Sequence, residues 1–194
     1  IYLILIIYMS KKFDVIIIGA GAAGMMSAIE AGKRGRKVLL VDHYKKIGEK
    51  IRISGGGRCN FTNINTNSNR FLSQNPKYVR SALSQYTQND FINLMNKYEI
   101  KFHEKKLGQL FCDHSAQQIV EMLLKECELA NVTILKEFII KNVDKDNDQY
   151  LVSTETDKYS SESLIIATGG LSVPKIGATS FGYEIAKKFD HDII

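Results

Sequence analysis

Three glycines near the start of the chain have the spacing of a phosphate-binding loop. The string Gly19-Ala20-Gly21-Ala22-Ala23-Gly24 follows the pattern G-x-G-x-x-G. The first glycine allows a tight turn from a strand into a helix, the second lets the backbone approach a pyrophosphate, and the third lets helix and strand pack closely. The N-terminus of the helix adds N–H groups and a partial positive charge. The string predicts a dinucleotide site that uses Gly19, Gly21, Ala22, Ala23 and Gly24.

The hydrophobic pattern predicts the elements that position this loop. Residues 13–18 are a continuous apolar and β-branched run, typical of a buried parallel strand, while residues 22–35 favour a helix and residues 37–41 a second strand. Asp42 ends that strand, roughly 20 residues after the loop, where a carboxylate binds ribose hydroxyls. An acid here disfavours a 2′-phosphate and therefore NADP. The β-α-β unit leaves NAD and FAD open as ligands.

Two further glycine clusters favour FAD over NAD. The run Ser54-Gly55-Gly56-Gly57-Arg58-Cys59-Asn60 offers consecutive backbone N–H groups to an anion or a flavin ring edge, and Arg58 adds guanidinium donors. A flexible glycine linker is the structural alternative for this run. The third cluster, Thr168-Gly169-Gly170, follows an apolar strand where the chain returns to the same sheet.

The remaining segments predict an α/β fold. Residues 44–69 lack a helix or strand period and predict a long loop, which in a compact domain is usually functional. Helices are predicted at 78–86, at 87–98 with a Thr87–Asp90 capping signal, after Ser115 and at 181–189, and strands at 100–103, 109–112, 132–135, 138–143, 150–153 and 164–167. We expect a mostly parallel sheet with a small antiparallel β-meander at about 132–154.

The glycine clusters in their context resemble the FAD-dependent oxidoreductases related to glutathione reductase. Within that superfamily they look like the bile-acid-pathway flavoprotein reductase family, which is also described as aminoacetone-oxidase-like. The matching strings are the glycine loop at 19–24, ISGGGRCNFTN at 53–63 and ATGGLSVPKIGAT at 167–179. The middle string is the most specific of the three, and the resemblance runs from about residue 12 to the last residue.

The resemblance implies a Rossmann-like FAD-binding domain and a role for each string. The loop at 19–24 would hold the FAD pyrophosphate and Asp42 the adenosine ribose. Lys50 and residues 54–60 would line the cofactor toward the isoalloxazine, residues 168–170 would close over it, and a backbone group near Phe138 would meet the adenine. The implied function is hydride transfer through the flavin, with NAD(P)H or the substrate as the electron donor.

The resemblance also implies a division of the chain and one alternative function. Residues 1–11 are expected to be a non-native or disordered extension, since Met9 looks like a natural start. Residues 12–194 are expected to be an incomplete FAD-binding domain, because family members are longer and carry a substrate-side domain. No catalytic residue is assigned. The alternative to an oxidoreductase is a truncated, noncatalytic dinucleotide-binding module.

Composition sets the expectations for partners and compartment. The net charge is +5, but the lysines are scattered and no basic–aromatic interleaving supports nucleic-acid binding, so a small-molecule substrate is expected rather than nucleic acid or membrane. A flavoprotein that modifies RNA is the disfavoured alternative. Three cysteines without a C-x-x-C pair indicate a cytoplasmic protein without a metal site. Cys59 is expected to pack beside the flavin, since no second cysteine lies about five residues away.

Overall fold

The computed structural model describes residues 10–172 and 177–193. The expected extension at 1–11 lies outside the described residues as far as residue 9, whereas Lys11 already belongs to the first strand. The chain divides into two compact units. The first unit contains residues 1–49 and 123–194, and the second contains residues 50–122.

The described residues form nine strands and six α-helices. The strands are β1 (Lys11–Ile18), β2 (Val38–Val41), β3 (Asn60–Asn63), β4 (Phe102–Glu104), β5 (Gln109–Cys112), β6 (Thr133–Leu135), β7 (Asn142–Asp146), β8 (Gln149–Ser153) and β9 (Lys158–Ile166). The helices are α1 (Ala22–Lys33), α2 (Glu49–Ile53), α3 (Arg80–Gln85), α4 (Gln88–Lys97), α5 (Gln117–Leu129) and α6 (Phe181–Lys188).

The first unit is built on a six-stranded sheet with the order β6-β2-β1-β9-β8-β7. The neighbours β6, β2, β1 and β9 are parallel, and β9, β8 and β7 are antiparallel. This confirms the predicted α/β class with a mostly parallel sheet and a small antiparallel part. The expected bounds of the β-meander, about 132–154, are wrong in part, because β6 pairs parallel to β2 and the antiparallel strands are β7, β8 and β9. The carboxyl ends of β1, β2 and β9 meet at one edge of the sheet, which is where open α/β sheets bind ligands.

Burial explains why the central strands are continuously apolar. Ile16 and Ile17 are fully buried on opposite faces of β1, and Ile16 pairs with Leu39 of β2 and Leu164 of β9. On one face, Ile16 belongs to a cluster with Phe138. A strand covered on both faces must be hydrophobic at every position.

The predicted strand at 138–143 is wrong over most of its length. The backbone is irregular until Asn142, where β7 begins. The N–H of Phe138 donates to the carbonyl of Asp42 at 2.9 Å, and Lys141 is the first residue to bond to Ser153. The apolar residues at 138–140 therefore reflect contact with the core and with a cavity, which a strand period cannot distinguish from a β-ladder.

The second unit contains a three-stranded antiparallel sheet with the order β3-β5-β4. The predicted long loop at 44–69 is wrong in part, because it contains α2, 3-10 helices at Ser54–Gly57 and Ser68–Arg70, and β3. These elements are too short to show a period. The predicted cap of α4 is confirmed, since Thr87 and Asp90 form a reciprocal capping box.

Candidate cofactor site

The glycine loop joins the ends of three strands. The N–H of Gly19 donates to the carbonyl of Val41 at 2.8 Å, and the N–H of Ala167 donates to the carbonyl of Ile18 at 2.8 Å. Gly19 has a φ of +106°, and a Cβ there would lie 2.6 Å from the carbonyl oxygen of Ala167. Only glycine fits this turn, because both the conformation and the space exclude a side chain.

The other two glycines of the loop differ in what surrounds them. A Cβ on Gly24 would lie 1.8 Å from the carbonyl oxygen of Gly19, so the loop itself requires this glycine. A Cβ on Gly21 would meet nothing within 4 Å. No atom of the described residues occupies that space. A pyrophosphate group that approaches the backbone closely fits it.

The start of α1 offers unpaired donors to an anion. Gly21 caps the helix without a side-chain hydrogen bond, and no acidic residue lies in the first turn. The first intrahelical bond runs from the N–H of Met25 to the carbonyl of Gly21 at 3.0 Å. The preceding N–H groups have no helical acceptor, and the side chains of Ala22 and Ala23 are exposed. These residues fit the phosphates of FAD.

Asp42 connects the loop to the end of β2. Its Oδ2 accepts a hydrogen bond from the N–H of Ala20, and its Oδ1 accepts one from the N–H of Tyr44, both at 2.8 Å. The carboxylate also lines a cavity of about 210 Å³. Each oxygen keeps a lone pair for a further donor, so the predicted bond to ribose hydroxyls is compatible with this geometry.

The cavity lies at the carboxyl edge of the first unit's sheet. It is lined by Ile18, Gly19, Val41, Asp42, His43, Phe138, Ile139, Ile140, Thr168, Gly177, Thr179 and Phe181. It therefore brings together predicted residues from the glycine loop, from β2, from the segment at 138 and from the end of β9. An adenosine placed here would have mainly apolar walls and a few backbone and carboxylate groups.

The side chain and the N–H of Phe138 are both engaged within the first unit. Its side chain is buried and packs against Tyr159, with ring centroids 5.2 Å apart, and its N–H is bonded to Asp42. Ile139 and Ile140 also line the cavity, and neither N–H donates to another described backbone carbonyl. The expectation of a backbone group near Phe138 is compatible with these open donors.

The cluster at 168–170 lies at the end of β9. Thr168 lines the cavity, and its Oγ1 lies close enough to α6 that a Cβ on Gly182 would come within 2.3 Å of it. A Cβ on Gly170 would lie 3.1 Å from Tyr183 Oη, while Gly169 has a φ of +73° and is exposed. Residues 173–176 of the resembling string lie outside the described residues.

Sequence reasoning missed several residues of the cavity wall. His43 directly follows Asp42, and Phe181 opens the last helix, but neither belongs to a recognised motif. Gly177 has a φ of +87°, and a Cβ there would lie 3.0 Å from His43 Nε2. Thr179 closes the resembling string at 167–179. Only its place in that string could have marked it.

The second glycine cluster forms a defined turn within the second unit. Gly55, Gly56 and Gly57 have φ values of +59°, +68° and +87°. The N–H of Cys59 closes the turn by donating to the carbonyl of Ser54 at 3.0 Å. A Cβ on Gly55 would lie 2.7 Å from the ring of Phe111, whereas one on Gly56 would meet nothing. The run is therefore a turn with one open position rather than a flexible linker.

The other predicted residues of this unit surround the turn. Lys50 lies half-buried on α2, and Arg58 and Asn60 are exposed. The Oγ of Ser54 donates to the carbonyl of Ile51 at 2.9 Å, so the hydroxyl is already engaged. The carbonyl of Arg58 accepts a hydrogen bond from the N–H of Cys112. Lys50, Arg58 and Asn60 remain predicted cofactor contacts.

Cys59 is buried and lies opposite a second cysteine. The pairing of Asn60 with Phe111 places Cys59 across from Cys112 of β5. Burial raises the pKa of the Cys59 thiol, which opposes reactivity at neutral pH. The described residues contain no cluster of His, Cys, Asp and Glu that could hold a metal ion.

These features define an FAD-binding Rossmann domain with the fold of the flavoprotein oxidoreductases. They are the mostly parallel sheet, the glycine loop that caps α1 and the cavity beside Asp42. The family assignment agrees: the chain belongs to the HI0933-like protein family, whose Rossmann domain matches residues 13–194. No helix among the described residues is long and apolar enough to span a membrane.

Two relatives with the same name are far more similar than the predicted bile-acid branch. The chain is 53% identical over 184 residues to "Ribosomal RNA dihydrouridine synthase" of Escherichia coli (strain K12), covering 95% of this chain and 46% of the relative. The Haemophilus influenzae protein of that name is 47% identical over 96% of this chain and 47% of its own length. The "3-dehydro-bile acid delta(4,6)-reductase" of Clostridium scindens is 23% identical, over 91% of this chain and 44% of the relative.

The chain thus spans about half the length of these curated relatives. The expected superfamily is supported, but the narrower bile-acid resemblance is not, because its identity is less than half that of the other two. Among solved structures, a 3-ketosteroid-delta4-(5alpha)-dehydrogenase from Rhodococcus jostii RHA1 aligns with a TM-score of 0.59 and 12% identity, over 86% of this chain and 47% of that one. The halogenase PltM, bound to phloroglucinol and FAD, aligns with a TM-score of 0.52 and 16% identity, over 92% and 36%.

Proposed function

We propose that this chain is the FAD-binding part of a flavoprotein that reduces uridine in ribosomal RNA to dihydrouridine. The observation that carries the proposal is the 53% identity to the Escherichia coli protein of that name across nearly the whole chain. The glycine loop and the cavity would bind FAD in any flavoprotein of this fold. The geometry therefore supports the cofactor, and the sequence identity to the Escherichia coli protein supports the substrate. The proposal makes RNA the substrate, whereas the sequence alone favoured a small molecule over nucleic acid.

The chain's own residues bind and orient the cofactor. Gly21 leaves space for the pyrophosphate, and the N–H groups at the start of α1 complement its charge. Asp42 holds the loop through Ala20 and faces the cavity that fits the adenosine. Within the second unit, the turn that contains Gly56 leaves another open backbone position.

Bound FAD would supply hydride transfer, which is the chemistry that side chains lack. Conversion of uridine to dihydrouridine saturates the C5–C6 double bond of the base, which is conjugated to the C4 carbonyl. The product gains the equivalent of one hydride and one proton, and NAD(P)H is the proposed source of the two electrons. The name of the bile-acid relative also denotes reduction of double bonds conjugated to a carbonyl. By their names, the dihydrouridine synthases and the bile-acid reductase therefore share one class of reaction, the reduction of a conjugated carbon–carbon double bond.

The experiment measures dihydrouridine directly. The full-length flavoprotein that contains this chain is incubated with NADPH or NADH and unmodified ribosomal RNA, and the RNA is then digested to nucleosides. Mass spectrometry should detect uridine that has gained two hydrogen atoms. Replacing Asp42 with alanine should reduce the yield, and the yield should partly return at saturating FAD.

Two outcomes would contradict the proposal. One is a flavin-loaded protein that oxidises NAD(P)H with a 3-keto-Δ4 steroid but leaves the RNA unchanged, which would move the substrate to the bile-acid side. The other is a protein that binds FAD but oxidises NAD(P)H with neither substrate. That result would favour the noncatalytic dinucleotide-binding module.

A further inference from the structure

The net charge of the chain belongs entirely to the second unit. Residues 50–122 contain ten Lys and Arg and five Asp and Glu, whereas the first unit contains sixteen of each. The net charge of +5 is therefore not spread over a uniformly basic surface. A basic surplus concentrated on one unit is typical of a surface that meets a polyanion.

Basic and aromatic side chains alternate along one exposed segment of this unit. Arg70 precedes Phe71, and Lys77 and Arg80 flank Tyr78. All five side chains are exposed, and Tyr78 keeps 78% of its surface accessible. None of the three basic side chains forms an ion pair with any residue in the described ranges. The alternation has gaps in the sequence, and it becomes apparent only once exposure is known.

A pocket of about 460 Å³ opens beside Arg70 and Phe71, and Asn63, Asn65 and Leu107 also line it. The amide of Asn63 shapes the wall, because its Nδ2 donates to the carbonyl of Leu107 at 2.9 Å and its Oδ1 accepts from the N–H of Asn65 at 2.8 Å. The Asn65 side-chain amide bonds to no other residue that the structure describes. It offers one donor group and one acceptor to a ligand.

We propose that the segment at 63–80 is a binding surface for unpaired RNA, with one unstacked base in the pocket beside Phe71. Arg70, Lys77 and Arg80 contact phosphates, Tyr78 stacks on a second base, and the Asn65 amide meets a base edge. Unpaired RNA matches these features because aromatic side chains stack on splayed bases, whereas duplex RNA is recognised mostly by shape. This inference rests on the proposed function only in naming RNA as the polyanion.

The test compares charge and stacking variants in a binding assay. The FAD-saturated chain is titrated against a fluorescein-labelled single-stranded oligouridine, and fluorescence anisotropy gives Kd at several salt concentrations. The triple variant Arg70→Ala/Lys77→Ala/Arg80→Ala should bind at least about tenfold more weakly, and its slope of log K against log salt should fall by about two. The matched control Lys136→Ala/Lys158→Ala/Lys187→Ala removes three exposed charges from the first unit and should bind as the wild type does.

Stacking is tested separately at Tyr78, because this exposed side chain can be replaced without disturbing the core. Tyr78→Ala should weaken binding about tenfold, while Tyr78→Phe retains a ring and should not. Equal loss of affinity in both triple variants, equal affinity for a duplex of the same length, or no binding by the wild type would overturn the inference. If no dihydrouridine forms but the triple variant still loses affinity, the RNA surface stands and only the proposed reaction fails.

Discussion

The carboxylate of Asp42 accepts a hydrogen bond from the N–H of Ala20, with 2.8 Å between Oδ2 and N. This bond ties the middle of the glycine loop to the end of β2. The second oxygen accepts from the N–H of Tyr44, so one side chain fixes both the glycine loop and the backbone that follows β2. The predicted ribose contact and these two structural contacts therefore depend on the same carboxylate.

Asp42→Asn should weaken FAD binding by about tenfold or more, because an amide provides one acceptor oxygen where the N–H groups of Ala20 and Tyr44 use two. Isothermal titration or flavin fluorescence quenching gives the Kd. Asp14→Asn is the matched control, since Asp14 accepts a backbone hydrogen bond from Lys37 at 2.7 Å outside the cavity. Equal losses of affinity in both variants would show that Asp42 acts only through general stability.

The capping box of α4 should contribute measurable stability to the second unit. Thr87→Ala removes the hydroxyl that accepts from the N–H of Asp90, and the free energy of unfolding should fall by about 1 kcal/mol. Thr87→Ser keeps the hydroxyl and should retain most of the stability. Urea denaturation followed by circular dichroism measures the difference, and equal stability of the alanine variant would show that the cap is dispensable.

Acid should remove the contribution of the same capping box. The hydroxyl and N–H of Thr87 both donate to Asp90, and these bonds lower the pKa of its carboxyl below the ordinary value of 3.8. A depressed pKa gives stability that is present above the ordinary pKa and is lost as the pH falls through the lowered one. The stability difference between wild type and Asp90→Ala should be constant from pH 5 to pH 7, roughly the range above the ordinary carboxyl pKa, and should shrink below about pH 4. A difference that does not change with pH would contradict this.

The sequence could predict the first part of the site because the signals there are local. The glycine loop, its flanking strands and Asp42 lie within about 30 consecutive residues, and a β-α-β unit uses such residues together. The walls supplied by Phe181 and Gly177 lie more than a hundred residues further along the chain. They reach the cavity only because β9 pairs with β1, and no periodicity reports that pairing.

The cysteines show the same limit. No second cysteine lies near Cys59 in sequence, whereas the register that pairs Asn60 with Phe111 brings Cys112 next to it. Register between strands 50 residues apart is a tertiary property. The composition of the whole chain likewise does not reveal the net charge of the second unit, because it combines that unit's basic residues with a neutral first unit.

Cys59 and Cys112 should react slowly with iodoacetamide at neutral pH. Burial raises the pKa of both thiols, that of Cys112 to about 11, so little thiolate is present. The labelling rate should rise with pH toward that value. The variant Gln74→Cys supplies an exposed thiol in the same unit as a reference. Peptide mass spectrometry resolves the sites, and labelling of Cys59 as fast as the reference would show a thiol reactive enough to act as a redox nucleophile.

Gly24 and Gly21 should separate the folding role of the loop from its binding role. Gly24→Ala places a Cβ 1.8 Å from the Gly19 carbonyl oxygen, so the loop must deform, and stability should fall by about 1–3 kcal/mol or more along with FAD affinity. Gly21→Ala meets no atom, and its φ of −84° suits alanine. Without FAD, this variant should unfold within about 1 kcal/mol of the wild type.

With FAD, the Gly21→Ala variant should bind at least about tenfold more weakly, since the new methyl group occupies the space assigned to the pyrophosphate. Urea denaturation without cofactor and a flavin titration measure the two effects separately on the same preparations. If Gly21→Ala binds FAD as tightly as the wild type, the pyrophosphate does not lie against this glycine. The open space beside it would then need another explanation. If Gly24→Ala keeps its stability, the close contact with Gly19 is relieved at little cost.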